Sequence, residues 1–352
     1  MWGALTGLAA ATGVFLGGAL SDGPGWRWVL FVNLPVCLLA LAAAFRLVDG
    51  DRRSARRIRF DTPGAILVTG GMLLTVHALV EAPDRGWGTA RTIGELTTAA
   101  LLLAAFVVNE RRSRNPLAPL SIFRIKGLAA ADATQLIAFA GFYSMFFFLT
   151  LYMQNVLGYS PVKAGAAYLP VTAGIALAAG VSARLFTRFG TRPVIVTGAL
   201  AAAVGVYYLS RIPTDGSYPV DLLPGLLVMS VGLGAVFVGV TTAANAGVPP
   251  DKAGLAAGLL NTSTQLGAAL GLAVFSAIAT ARTNHLLVGG SGEPAALTAG
   301  YQRALLACAV FLLAAAVIAL RATHTRATPP GMTPPEPAQE PGDEHTARQA
   351  AG

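Results

Sequence analysis

The sequence is poor in charged residues and in cysteine. Only 12% of its 352 residues are Asp, Glu, Lys or Arg, about half of the roughly 25% that is typical of a soluble globular chain. Hydrophobic residues make up 54% of the chain, and the mean hydropathy is +0.61. A chain this apolar cannot cover a water-facing surface, and its bulk cannot be disordered. The two cysteines, Cys37 and Cys308, lie in separate apolar runs, which argues against a disulfide framework or a structural zinc site.

Enzyme motifs are missing as well. The sequence contains no P-loop, no G-x-G-x-x-G after a strand, and no His, Cys and acid cluster with metal-ligand spacing. We therefore expect no enzymatic activity, no cofactor and no metal site. An enzyme attached to a helical membrane domain is the least favoured alternative.

Long apolar runs fill most of the chain, and each is near the 20 residues that a membrane-spanning helix needs. The runs cover approximately Trp2–Leu20, Trp28–Val48, Pro63–Ala82, Glu95–Val108, Gly127–Leu151, Ala164–Phe186, Pro193–Leu209, Leu222–Asn245, Leu255–Ala281 and Arg303–Leu320. They predict an all-α polytopic membrane protein with about ten transmembrane helices. Residues 322–352 are rich in proline and nearly free of large apolar residues, so we expect a disordered cytoplasmic tail.

The basic residues indicate an orientation. Of the 25 Lys and Arg residues, 18 follow the even-numbered runs and seven lie on the opposite side. The seven are Arg27, Arg85, Arg91, Lys163, Arg211, Arg282 and Arg303. The positive-inside rule then places both termini in the cytoplasm. The net charge of +8 is explained by topology rather than by nucleic acid binding, with contact to anionic lipid as a secondary effect.

Glycines recur along the first apolar run, at Gly3, Gly7, Gly13, Gly17 and Gly18. Small residues four apart let helix backbones approach closely in lipid. Two interpretations stay open, an ordinary packing face and a gating role.

A tryptophan-rich run comes next. Trp26, Arg27 and Trp28 lie at the edge of the second span, and Asn33 and Pro35 lie inside it. An amide in a membrane span must find a partner, and a proline frees a carbonyl. This W-R-W-x-x-F-x-N-x-P run resembles the drug:proton antiporter branch of the major facilitator superfamily, whose fourteen-helix members carry it between their fifth and sixth helices.

Five further segments match that branch in the expected order. They are Phe60–Gly64, Asn115–Arg124, Tyr152–Pro170, Arg188–Arg192 and Val248–Gly271. The resemblance implies a partial major facilitator fold in a bacterial-type inner membrane. It also implies proton-coupled export of hydrophobic or cationic small molecules (multidrug efflux, antibiotic resistance), with a small-molecule substrate, protons and the bilayer as partners and no motif that specifies an oligomer.

Two local departures accompany the resemblance. Gly13 is followed by Val14 where the antiporter signature has proline, although Gly17 and Gly18 match. In the cytoplasmic loop motif, Arg188, Gly190 and Arg192 match, but Thr187 occupies the approximate place of an acidic residue. The charge pairing that latches this loop in relatives is therefore not expected here.

The count of ten spans against fourteen predicts that the family's first four helices are lacking. The expected division is residues 1–48 as the last two helices of the N-terminal bundle, 49–126 as a central helix pair with linkers, 127–321 as the C-terminal six-helix bundle, and 322–352 as the tail. The alternative to a transporter is a truncated, non-transporting remnant or a misassigned start. We expect the isolated chain to insert without exporting substrate.

Polar groups inside the spans are the candidate pathway residues, because ionisable side chains there are costly and functional by default. Asp132 lies about five residues into the fifth span, and Gln135 follows about one helical turn later. Asp132 is interpreted either as a titrating group in a cavity or as a capping or snorkelling acid near the interface. Tyr143 and Gln154 continue the same span outward, and Asn33 is the candidate in the second span.

Reporter fusions test the predicted topology. Fusions after Arg57, after Arg114 and at the C-terminus should read cytoplasmic, because the arginine-rich side is retained inside. Fusions near Gly86 and Gly290 should read external. A cytoplasmic signal from both of the latter sites would overturn the orientation.

Overall fold

The computed structural model describes residues 13, 16–47, 61–113, 116–117, 122, 125, 127–245, 248 and 252–321. Within these ranges all regular secondary structure is helical. Nine helices or helix pairs there are long and apolar enough to cross a membrane, which confirms the all-α polytopic prediction. Most of the first predicted span and the predicted tail lie outside the described residues.

The helices are numbered here from the first one after a short helical segment at residues 16–22. They are α1 (Arg27–Phe31), α2 (Asn33–Leu47), α3 (Thr62–Arg85), α4 (Ala90–Arg112), α5 (Leu128–Leu151), α6 (Pro161–Ala167), α7 (Leu169–Phe189), α8 (Thr191–Leu209), α9 (Leu223–Asn245), α10 (Ala253–Val288) and α11 (Glu293–Ala319). Single π-helical turns extend α5 over Tyr152–Val156 and precede α9 over Tyr218–Leu222.

Two helices begin well before the predicted residue. Helix α4 begins at Ala90 rather than Glu95, because the Thr89 side chain caps it by accepting a hydrogen bond from the Thr92 amide. Helix α11 begins at Glu293 rather than Arg303, with a proline in its first turn. Both predictions followed the start of the apolar run, whereas a transmembrane helix extends beyond the hydrocarbon region.

The second predicted span is interrupted rather than continuous. Helices α1 and α2 meet at Val32, which adopts a turn. Pro35 lies in the first turn of α2, and a proline can neither donate a backbone hydrogen bond nor tolerate the carbonyl one turn earlier. The Asn33 amide donates to the carbonyls of Val29 and Leu30 at 3.1 and 3.3 Å. The partner that this amide requires in a membrane is therefore its own backbone.

Helices α5 and α7–α11 pack against one another around a continuous apolar core. The core includes Met145, Phe148 and Leu149 of α5, which are almost completely buried. Its helix contacts pair α8 with α9, α5 with α10 and α11, α7 with α9, and α8 with α11. Helices α3 and α4 form a separate antiparallel pair, and α3 also contacts α10.

Backbones meet at small residues where these helices cross. A Cβ atom added to Gly271 of α10 would lie 2.6 Å from the Cα atom and the carbonyl oxygen of Ala140 on α5. A Cβ atom on Gly205 of α8 would lie 2.7 Å from the carbonyl oxygen of Gly225 on α9. Close approach of this kind provides the packing energy that the hydrophobic effect does not supply within lipid.

Polar contacts hold α3 and α4 together at both ends of the pair. Asp61, the N-cap residue of α3, accepts hydrogen bonds from the Gly64 amide at 3.0 Å and from the Asn109 side chain at 2.7 Å. The hydrogen bond from Gly64 is the main reason that the pKa of Asp61 is below its usual value. At the other end, Arg85 pairs with Glu81 at 3.0 Å and with Glu95 at 3.6 Å.

The contact at Gly271 predicts a matched pair of substitutions in one helix. Gly271→Leu should lower the stability of the protein in detergent by about 1–3 kcal/mol, because the added side chain has no space against α5. Gly258→Leu, also in α10, has no heavy atom within 4 Å of an added Cβ and should change stability by less than about 0.5 kcal/mol. Thermal unfolding followed by a thiol-reactive dye measures both. Equal losses would show that the α5–α10 contact is not tightly packed.

Candidate transport site

Two polar side chains of α5 are buried at its contact with α10. Asp132 is 6% exposed and Gln135 is 4% exposed. Helix α5 begins at Leu128 after the N-cap residue Gly127, so Asp132 lies beyond the first turn and does not cap the helix. This position fits neither a residue that caps the helix nor a side chain that reaches out to the interface.

The facing polar groups come from α10. The Gln135 amide nitrogen donates to the Thr264 hydroxyl at 2.9 Å, and that hydroxyl donates to the Leu260 carbonyl at 3.0 Å. Ser263 is buried and is a polar neighbour of the Asp132 carboxyl group, although it completes no hydrogen bond with either carboxyl oxygen. Asp132, Gln135, Ser263 and Thr264 are together called the α5–α10 polar cluster below.

The polar cluster leaves oxygen atoms unsatisfied. Among the described residues, neither carboxyl oxygen of Asp132 has a hydrogen bond partner, and neither does the side-chain oxygen of Gln135. The ion pairs found in the same ranges all involve Arg85 or Arg91, so no cation neutralises Asp132 there. An uncompensated buried charge is costly, and protonation removes it.

An aromatic surface begins two helical turns further along α5. Its rings belong to Phe139, Phe142, Tyr143 and Phe146 of α5, Tyr168 before α7, and Phe237 of α9. The ring centroids of Phe142 and Phe146 are 4.8 Å apart, and those of Phe146 and Tyr168 are 4.6 Å apart. Tyr143 is 44% exposed, so part of this surface is open.

The predicted pathway residues do not form one site. Tyr143 belongs to the aromatic surface, about 16 Å along the helix from Asp132, and Gln154 lies about 33 Å away, given a rise of 1.5 Å per residue. Gln154 is in the π-helical turn at the far end of α5 and is half-buried. Asn33 is exposed on a different helix and donates to its own backbone. The structure brings together only Asp132 and Gln135.

The predicted gating residues also lie at separate places in the structure. Gly190 joins α7 to α8 with a φ of +80°, a conformation that favours glycine. Arg188 and Arg192 flank it and are exposed. A Cβ atom on Gly18 would lie 2.8 Å from the Pro161 carbonyl oxygen, so that glycine allows a close backbone approach to α6.

Gly13 and Gly17 would meet nothing within 4 Å if they carried a Cβ atom. The close approach at Gly18 therefore does not extend to these two positions among the described residues.

Sequence reasoning missed Ser263 and Thr264 of the polar cluster and most rings of the aromatic surface. Ser263 and Thr264 were passed over, since hydroxyl residues are common in membrane helices. A usable signal was present, because Ser263, Gly267 and Gly271 recur every four residues and so share one helix face. Phe237 had no such signal, because its place beside Phe139, with ring centroids 6.0 Å apart, depends on how α9 packs.

Comparison with known proteins places this arrangement in a family. Residues 1–272 match the sequence profile of the Major Facilitator Superfamily. The chain belongs to the Major Facilitator Superfamily. The family resemblance read from the sequence is thereby confirmed, and this family consists of transporters rather than enzymes.

Three curated relatives of this major facilitator chain are bacterial resistance or export proteins. The chain is 38% identical to the puromycin resistance protein pur8 of Streptomyces alboniger over 303 residues, which is 85% of this chain and 60% of the relative. It is 35% identical to the tetracenomycin C resistance and export protein of Streptomyces glaucescens, over 81% of this chain and 53% of the relative. It is 36% identical to the cephamycin export protein CmcT of Amycolatopsis lactamdurans, over 92% and 66%.

The chain therefore spans between 53% and 66% of the length of these three relatives. Its family membership and its multi-pass membrane character follow from the match and from the helices that could cross a membrane.

The hydrogen bond in the polar cluster predicts a non-additive mutant cycle. Thr264→Val should destabilise the protein by about 1–3 kcal/mol, because it leaves the buried Gln135 amide without its acceptor. Gln135→Leu with Thr264→Val removes both partners and should restore most of that loss. Thermal unfolding of the two single variants and the double variant measures the coupling. Additive losses would show that the bond does not contribute to stability.

Proposed function

We propose that this chain is part of a proton-coupled exporter of hydrophobic or cationic small molecules in a bacterial plasma membrane. The observation that carries the proposal is the buried carboxyl group of Asp132, which has no hydrogen bond partner and no cation among the described residues. A group that is costly to leave charged in that position is suited to alternate between protonated and deprotonated states.

The names of the relatives support export of antibiotic-like molecules. Pur8 is named for puromycin resistance, and the Streptomyces glaucescens protein for resistance to and export of tetracenomycin C. CmcT is named for cephamycin export. The three names refer to three different compounds, so the relatives do not define a single substrate for this chain. We propose a small organic molecule as the class.

The aromatic surface is the proposed wall of the substrate site. Phe142, Tyr143 and Phe146 present rings that would bind apolar compounds through contact area and cations through the ring faces. Asp132 lies about 10 Å along the helix from Phe139, at 1.5 Å per residue. Proton binding and substrate binding would therefore occupy neighbouring stretches of one helix, so that movement of α5 against α10 affects both.

The proposed cycle uses the α5–α10 contact as its moving part. In one state the polar cluster is closed and Asp132 is protonated, which avoids a buried charge. In the other state α5 and α10 separate enough for water to reach the carboxyl group, and the proton leaves. Substrate bound at the aromatic surface would be released on the opposite side of the membrane in the same movement, as in rocking of two bundles about a central site.

The proposed topology places both termini in the cytoplasm. Residues 1–48 are assigned to the N-terminal bundle, 49–126 to the central helix pair, 127–321 to the C-terminal bundle, and 322–352 to a tail. The α7–α8 turn with Arg188, Gly190 and Arg192 would then face the cytoplasm. Its proposed role is to limit the relative movement of these two helices, since Gly190 connects them without an intervening loop.

Transport by paired aspartate variants tests the proposal. Inverted vesicles are prepared from cells that express the full native reading frame in which this chain is encoded. Accumulation of ethidium, puromycin and tetracenomycin C in the vesicles is measured after a pH gradient is imposed. Asp132→Asn should abolish gradient-driven accumulation, because the amide cannot release a proton. The control Asp215→Asn removes an exposed carboxylate in the turn after α8 and should leave transport unchanged.

Insertion is checked by quantifying each variant in the membrane fraction. Unchanged accumulation in the Asp132→Asn vesicles would remove Asp132 from the coupling mechanism. Absence of gradient-driven accumulation of all three probes by the protein expressed from its full native reading frame, without substitutions, would overturn the export proposal.

A further inference from the structure

A cavity that the proposed transport mechanism does not use lies between α8, α10 and α11. Its volume is about 410 Å³, within the range of small-molecule sites. Three arginines line it, namely Arg211 after α8, Arg282 of α10 and Arg303 of α11. They are three of the seven basic residues on the side opposite to the arginine-rich turns. Nearly half of that side's positive charge is thus collected in one cavity.

Among the described residues, no carboxylate pairs with the three guanidinium groups. No carboxylate of the described residues lies within 4.0 Å of them, since the ion pairs found there involve only Arg85 and Arg91. The lining residues contain no Asp or Glu. Like charges that share a cavity repel one another, and a bound anion would remove that repulsion.

Two hydrogen bonds hold the arginine of the turn in place. Arg211 donates to the Tyr207 hydroxyl at 2.5 Å, and its guanidinium carbon lies 5.1 Å from the centre of the Tyr207 ring. The Gln302 amide donates to the Ile212 carbonyl at 2.8 Å, which ties α11 to the turn that carries Arg211. The guanidinium group of Arg211 is therefore held in place before any ligand binds.

Two features favour a membrane interface as the level of this cavity. Arg211 comes two residues after the end of α8 at Leu209. Tyr207 is 45% exposed, and tyrosine is enriched where helices leave the hydrocarbon region. Leu306, one turn deeper in α11 than Arg303, provides an apolar part of the lining. An amphipathic ligand could place its charged group at the arginines and its apolar part beside Leu306.

We propose that this cavity binds a phosphate group, with Arg211, Arg282 and Arg303 as its cationic ligands. Guanidinium groups match the geometry of phosphate oxygens and form charge-assisted hydrogen bonds with them. The phosphate has two possible sources, the headgroup of an anionic phospholipid in the adjoining leaflet and a soluble phosphate anion. The site is distinct from the α5–α10 polar cluster, so its occupancy can be tested apart from transport.

Native mass spectrometry of the full chain in detergent tests the site. The protein is mixed in separate arms with phosphatidylglycerol, phosphatidylcholine and inorganic phosphate, and adducts are counted. Arg282→Gln with Arg303→Gln should reduce phosphate-containing adducts about tenfold or more, because two charge-assisted contacts are lost. Arg27→Gln with Arg91→Gln removes two charges from the same side of the protein, outside the cavity, and should leave the adducts unchanged.

The arms separate the two sources. Adducts with phosphatidylglycerol that depend on the arginines, without adducts of inorganic phosphate, support the site with a lipid headgroup as its ligand. Arginine-dependent adducts of inorganic phosphate support it with a soluble ligand. Binding that is the same in the wild type and in the Arg282→Gln/Arg303→Gln variant overturns the proposal, as does the absence of phosphate-containing adducts from the wild type.

A second double variant distinguishes loss of binding from misfolding. Arg282→Lys with Arg303→Lys keeps the charges and removes the planar guanidinium geometry. It should fold as the wild type by thermal unfolding and bind with intermediate affinity. Affinity equal to that of the wild type would show that the match between guanidinium and phosphate geometry proposed for these arginines is wrong.

Discussion

Backbone contact between helices at small residues is the constraint on which the rest of this structure depends. Within lipid, apolar side chains gain little by leaving their surroundings, so helices associate through close packing and hydrogen bonds. Gly271 against Ala140 and Gly205 against Gly225 supply that packing, at separations that exclude even a methyl group. The six helices that share the apolar core are held in register by such contacts.

The same close approach creates the candidate transport site. Gly267 and Gly271 bring α10 onto α5, and the residues one turn earlier on each helix are polar. Asp132 and Gln135 are consequently enclosed between two backbones that lie too close to admit bulky side chains. A carboxyl group in that position is sensitive to any separation of the helices. The packing contact and the proposed proton site are parts of one interface, so a small movement there changes the environment of the carboxyl group.

The arginines show how one residue type serves two purposes. Along most of the chain, basic residues follow alternate spans, which is the pattern that the positive-inside rule describes. Arg211, Arg282 and Arg303 lie on the other side and line a common cavity. On that side, Arg85 and Arg91 are paired with Glu81 and Glu95. Five of the seven basic residues on that side are thus either ion-paired within the protein or gathered where an anion could bind.

The sequence by itself determined the fold class and the positions of most helices. Its apolar runs exceed the thickness of the hydrocarbon region, and backbone groups in lipid must be paired within a helix, so length and hydropathy leave few alternatives. The order of the motifs was sufficient for the family. Helix ends were less certain, because caps such as Thr89 act locally and a helix continues past the apolar run, as α11 does before Arg303.

Tertiary structure alone decided which polar residues meet. Asp132, Gln135, Tyr143 and Gln154 lie on one helix, yet the helical rise and the packing of α10 bring only the first two into a common cluster. The partners of that cluster, Ser263 and Thr264, are about 130 positions away in the sequence, and Phe237 joins the aromatic surface from α9. Periodicity identifies the face of a single helix, but the rotation of one helix against another depends on side-chain packing along their whole contact.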